Sequence, residues 1–167
     1  MGLISSAEDA RYEPMLNIVL VEPEIPQNTG NIARTCACVG ARLHLVELCG
    51  FRLSERNLRR AGCDYWDDVD IVQWSSIERF LDVHGNDELH LFTGRVTRRY
   101  DDVSYARGSY LLFGRESRGL DESLMDAYRS ACARIPMRSD KRSLNLSNAV
   151  AIAAYEALRQ QGFTGLA

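Results

Sequence analysis

Leu16-Asn17-Ile18-Val19-Leu20-Val21, followed by Glu22-Pro23-Glu24-Ile25-Pro26-Gln27-Asn28-Thr29-Gly30-Asn31, governs the reading of the whole chain. Apart from Asn17, the first six residues are an unbroken apolar run, the pattern of a strand buried on both faces. Pro23 and Pro26 stiffen the loop after it. A pattern of period 3.6 then predicts a helix from about Thr29 to Val39. Ile32, Ala33, Cys36, Val39 and Gly40 share one face of it, and Asn31, Arg34 and Cys38 the opposite one. Asn28 or Thr29 is expected to cap this helix. Its first N–H groups would suit an anion such as an RNA phosphate.

Outward from this unit, short apolar runs alternate with helical patterns. Strands are predicted at Leu43–Val46, Val69–Val72, Leu89–Thr93, Tyr110–Phe113 and Ala133–Pro136. Helices are predicted at Ser54–Ala61, at Ile77–Val83 with Ser75 or Ser76 as cap, and at Leu146–Gln161, closed by Gly162. This order implies an α/β fold, a mostly parallel sheet with helices on both faces. Ligands of such sheets sit beyond the carboxyl ends of the strands. One domain over 15–167 is expected, after a polar leader, 1–14, that is expected to be mobile.

Composition narrows the class. The 167 residues are 46% hydrophobic and 26% charged, ordinary globular usage. No apolar run approaches the roughly 20 residues of a membrane span, and the leader lacks a signal-peptide core, so a cytoplasmic protein is expected. Net charge is −3, so nucleic acid would have to be held by local basic patches. Of 20 basic residues only Lys141 is lysine. Arginine suits phosphate, although a GC-rich genome accounts for the bias as well. The five cysteines and three histidines show no zinc spacing, and no metal is expected. The dinucleotide fingerprint, the phosphate-binding P-loop and the serine nucleophile elbow are all missing.

Two further loops stand out. Gly114-Arg115-Glu116-Ser117-Arg118-Gly119-Leu120 follows an apolar strand, with Gly114 allowing close backbone approach and Gly119 a turn at positive φ. Ile135-Pro136-Met137 leads through Arg138–Arg142 to Ser143-Leu144-Asn145-Leu146-Ser147-Asn148, where Ser143, Asn145 and Ser147 are candidate caps. Leu146, Ala149, Val150, Ala153, Ala157 and Leu158 form a stripe on the last helix. It fits a subunit contact or an ordinary core.

Together the three loops resemble the three motifs of the SpoU branch of the SPOUT RNA methyltransferases, and within it a subgroup acting on tRNA ribose. The matching stretches are Asn17–Arg34, Leu112–Leu120, and Ile135–Met137 with Ser143–Val150; Arg56–Tyr65 also looks like this subgroup. The likeness runs from about Leu16 to Gly162. It implies a deep C-terminal trefoil knot, a homodimer, and S-adenosylmethionine as cofactor. By matching positions, Phe92, Thr93, Gly114, Glu116, Ile135, Met137, Ser143 and Leu144 would bind the cofactor. Arg34, Asn28 and Asn148 would serve catalysis, and Arg34, Arg115, Arg142 and Tyr155 would contact RNA. The implied reaction methylates a ribose 2′-OH of tRNA at the wobble nucleotide, cytidine or uridine. Arg115 stands where many relatives carry proline. The alternatives are an RNA-binding module of this fold without turnover, and a structural dimer without ligand.

Overall fold

The computed structural model describes residues 13–47 and 68–167. The predicted helix over Ser54–Ala61, the Arg56–Tyr65 stretch and most of the leader lie outside the described residues. Six strands form one sheet: β1 (Asn17–Val21), β2 (Arg42–Val46), β3 (Ile71–Trp74), β4 (Leu89–Phe92), β5 (Tyr110–Phe113) and β6 (Cys132–Ala133). Their order is β3-β2-β1-β5-β4-β6, and every pairing is parallel. Among the described residues four α-helices join them: α1 (Pro26–Val39), α2 (Ile77–His84), α3 (Glu122–Ala127) and α4 (Leu146–Gln160).

β1 shows how the faces divide. Ile18 and Leu20 join one core cluster, with Ile32 and Cys36 of α1 and Val150, Ala153 and Leu158 of α4. Val19 and Val21 join the other, with Phe80 of α2 and Leu124 and Met125 of α3. The sheet is thus covered on both sides, which explains the unbroken apolar runs of the inner strands. Each large side chain so buried contributes about 1.5–3 kcal/mol. The small residues of the last helix face the core rather than solvent: Val150, Ala153, Ala157 and Leu158 are fully buried.

Several boundaries differ from expectation. α1 begins at Pro26, not Thr29, and its N-cap is Ile25, which makes no side-chain cap. Neither Asn28 nor Thr29 caps it. Proline stiffens a loop, yet its fixed φ also suits the first helical turn, and here the second property prevails. β3 starts two residues later than predicted. β6 spans only Cys132 and Ala133, so Ile135 and Pro136 lie beyond it in the loop. α3 has no counterpart among the predicted helices; six residues with two buried positions give too little periodicity. Ser76 caps α2, accepting from the Arg79 amide at 3.3 Å. Asn145 caps α4, accepting from the amides of Ser147 at 3.0 Å and Asn148 at 3.4 Å.

A polar chain is buried on the sheet. Trp74 Nε1 donates to His44 Nδ1 at 3.0 Å, which leaves His44 Nε2–H to donate to Asn17 Oδ1 at 3.1 Å. Asn17 Nδ2 in turn donates to the Gly108 carbonyl at 2.7 Å. Burial, with charge from His84 and Arg42, pushes the His44 imidazole down to about 3. It is a neutral core histidine.

Candidate functional site

From β1 the sheet runs to β2 and β3 on one side and to β5, β4 and β6 on the other. The switch therefore falls between β1 and β5. The loops leaving their carboxyl ends part there, and that is where a crevice is expected. A cleft of about 940 Å³ lies at this end of the sheet, within the range of small-molecule sites. Its walls come from all three loops singled out in the sequence.

The loops are tied by side chains. Glu116 accepts from the Glu24 amide at 2.8 Å, the Ile25 amide at 3.2 Å and Asn28 Nδ2 at 2.9 Å. In return Glu24 accepts from the Ser117 amide and hydroxyl, both at 2.8 Å. Asn145 Nδ2 donates to Asn28 Oδ1 at 3.0 Å, bringing in the third loop. Arg115 pairs with Glu22, and Arg142 donates to the Ser117 carbonyl. The anion at the entry to α1 is thus the Glu116 carboxylate. The amides of Glu24 and Ile25, just ahead of the helix, are thereby engaged.

Two glycines are required by this geometry. A Cβ on Gly114 would collide with the backbone of Gly119 and Leu120, so the second loop closes tightly only on glycine. Gly119 sits at φ 77°, where other residues are strained. The Arg115 amide donates to the Gly119 carbonyl at 3.2 Å, and the Gly119 amide donates back to the Arg115 carbonyl at 2.8 Å.

Phe92, Thr93, Gly114, Glu116, Ile135, Met137, Ser143 and Leu144 all line the cleft, as do Asn28, Arg115 and Arg142. Phe92, Ile135, Met137 and Leu144 supply apolar wall, and Gly114, Ser143 and the loop backbone supply polar groups. That mixture fits a nucleoside. Arg34, Asn148 and Tyr155 are not among the lining residues. Arg34 is exposed on α1 beside Asn31 and Cys38. Asn148 is exposed in the first turn of α4, and Tyr155 is 50% exposed further along it.

Sequence reasoning missed Glu22 and Glu24 as loop fasteners and Arg95, Arg118 and Arg134 as lining residues. The alternation of acids around Pro23, matched by Arg115 and Ser117, was the available signal for the first pair. The cleft is strongly basic: Arg95, Arg115, Arg118, Arg134, Arg138, Lys141 and Arg142 line it, against Glu116 as the one acid among the described residues. On a chain of net charge −3 this is a local positive field, suited to a polyanion. Among the described residues no cluster of metal-ligating side chains is found, and no helix is long and apolar enough to cross a membrane.

Residues 15–155 match the model of the SpoU rRNA Methylase family. A tRNA (cytidine(34)-2'-O)-methyltransferase of Escherichia coli strain K12 is 48% identical over 152 residues, 90% of this chain and 97% of that one. A solved structure concerned with 2-OH methylation of C/U34 on tRNA is 44% identical, with a TM-score of 0.83, covering 91% of this chain and 99% of that one. An AdoMet-bound rRNA methyltransferase of Sinorhizobium meliloti is 27% identical, with a TM-score of 0.77, covering 89% of this chain and 57% of that one.

Proposed function

The chain belongs to the SpoU methylase family, and from that premise we propose that it methylates the ribose 2′-OH of nucleotide 34 of tRNA, cytidine or uridine, using S-adenosylmethionine. The observation that carries this reading is the convergence of three loops, far apart in sequence, on one basic cleft. Full-length relatives that act at position 34 support the choice of substrate.

The residues present fit the cofactor. Gly114 leaves no room for a side chain at the loop floor, and the apolar side chains of Phe92, Ile135, Met137 and Leu144 suit an adenine ring. When bound, the cofactor supplies an electrophilic methyl group on a sulfonium. Glu116, Asn28 and Asn145 do not touch the reacting atoms in this scheme; they hold the loops so that the ribose oxygen can be aligned with the methyl group. Alignment of that kind supplies about 7–11 kcal/mol in favourable intramolecular cases. The basic rim attracts the anticodon phosphates.

Arg34 acts on the ribose side. Its role is to hold the adjacent phosphate and to stabilise the developing alkoxide, while the 2′-OH proton passes to solvent water. Arg34 does not line the cleft of its own chain, so a homodimer brings the Arg34 of one subunit to the cleft of the other. The exposed stripe of Asn148, Ile152 and Tyr155 on α4 is a surface suited to that contact. A C-terminal trefoil knot, with the third loop threaded through the chain, belongs to the same reading, as does a single catalytic domain over 15–167.

The test is transfer of a labelled methyl group to bulk tRNA, followed by nucleoside analysis and mapping of the modified position. A 2′-O-methylated nucleotide at position 34 is expected. Cofactor binding without transfer to any tRNA would favour the RNA-binding alternative.

A further inference from the structure

Arg95 and Arg134 play no part in the loop fastening, yet both line the cleft. Arg134 directly follows β6, and Arg95 stands three residues beyond the end of β4. These strands are neighbours: Phe92 pairs with Ala133, and the Thr93 amide donates to the Ala133 carbonyl at 2.9 Å. The two arginines therefore leave the sheet at the same edge and on the same side of the cleft.

The other cations of the cleft have protein partners. Arg115 has Glu22, and Arg142 has the Ser117 carbonyl. Arg118 reaches Asp121 at 3.6 Å, while Arg138 and Lys141 share Asp140 at 3.0 and 3.3 Å. Among the described residues, neither the Arg95 nor the Arg134 guanidinium makes an ion pair or hydrogen bond. The acid in the cleft cannot answer them, because Glu116 is taken by three donors. Two positive charges on adjoining strand ends, one on a half-buried residue, call for a countercharge that the described residues do not supply. Guanidinium forks match anions with two oxygens.

Resting on the cofactor and tRNA reading above, we propose that Arg95 and Arg134 form an oxyanion-binding site on the β4–β6 side of the cleft. The group it takes is a carboxylate or a phosphodiester. Within this reaction the sources are the amino-acid tail of the cofactor and the RNA backbone.

Binding measurements on the full chain and its Arg95→Gln and Arg134→Gln variants distinguish them. Titrations would use S-adenosylmethionine, 5′-methylthioadenosine, which lacks the amino-acid tail, and tRNA over a range of salt. If the site holds the carboxylate, S-adenosylmethionine weakens about tenfold or more, while 5′-methylthioadenosine keeps its affinity. If it holds phosphate, tRNA weakens, and the slope of log K against log salt falls by roughly 0.7–0.9 per arginine. Arg95 is exposed, so its variant should keep the fold; Arg134→Lys, which keeps the charge, and a melting curve guard the second position. Parent-like affinities for all three ligands with an unchanged salt slope would overturn the site alone. Equal weakening of S-adenosylmethionine and 5′-methylthioadenosine would overturn it too, as damage to the cleft. A parent that bound neither S-adenosylmethionine nor tRNA would refute the proposed function itself.

Discussion

Replacing Glu116 with Gln tests whether the loop fastening sustains the cleft. One carboxylate oxygen takes the Ile25 amide and Asn28 Nδ2, and the other takes the Glu24 amide. A Gln amide can keep its oxygen toward only one set. In the better orientation it keeps Ile25 and Asn28, and its NH₂ group meets the Glu24 N–H, donor against donor. A bond to a charged acceptor is worth about 1.5–3 kcal/mol net. One is lost, and the two that remain fall to about half strength without the charge. With solvent screening at this partly exposed position, the total is about 2–3 kcal/mol. For a chain of this size that lowers Tm by roughly 4–12 °C. Calorimetric melting and titration with S-adenosylmethionine on the same sample would check it, with affinity expected to fall at least about tenfold. A Tm within about 1 °C of the parent and an unchanged Kd would show that something else holds the loops, and the argument from Glu116 would fail.

Arg34→Ala should lower methyl transfer by about 10²–10³-fold and leave S-adenosylmethionine affinity unchanged, since Arg34 acts on the ribose and its phosphate rather than on the cofactor. Mixed dimers of Arg34→Ala with Gly114→Ala subunits should regain part of the activity, and mixtures as inactive as either parent would argue against a shared site. Arg115→Ala leaves Glu22, a residue only 8% exposed, without its partner; stability in urea should fall by about 2–3 kcal/mol, the cost of breaking a buried pair reduced by solvent screening at Arg115, with the salt dependence of tRNA binding unaltered. For His44 the folded pKa lies below the unfolded value of 6.5, so the unfolded chain binds more protons between pH 3 and 6.5. Stability conferred by the neutral form is therefore present above about pH 6.5 and lost as pH falls, by at most about 1.4 kcal/mol per unit. Urea melts from pH 7 to 5 should show that slope, and a His44→Gln variant with the same slope would contradict it.

The sheet and the two long helices are legible in the sequence because burial on both faces leaves unbroken apolar runs and a clear 3.6 period. Ile32, Ala33, Cys36 and Val39 are buried as the pattern requires. α3 is not legible, since Leu124 and Met125 alone make no periodic signal. Part of the cleft lining, Phe92, Gly114, Ile135 and Ser143 among it, can be read from motif positions. The partners of those residues cannot. Motif position and charge assign Arg115 and Arg142 to RNA, yet Glu22 and the Ser117 carbonyl reach them in the fold. Such pairings join distant segments, and no local spacing encodes them. Arg95 and Arg134 are inconspicuous in the sequence for the same reason: only the parallel neighbours β4 and β6 bring them together.

The Asn28–Asn145 bond joins residues 117 apart in the chain. At a synthesis rate of about 5–20 residues per second, roughly 6–23 s separate the emergence of its two ends from the ribosome. Throughout that interval α1 has been made while α4, which covers the same core, has not. Its apolar stripe of Ile32, Cys36 and Val39 then needs shelter from a chaperone or from nascent β1 and β2. Ligand capture must wait until the third loop has emerged, so a product cut short before Asn145 would gain no protection from the cofactor against proteolysis.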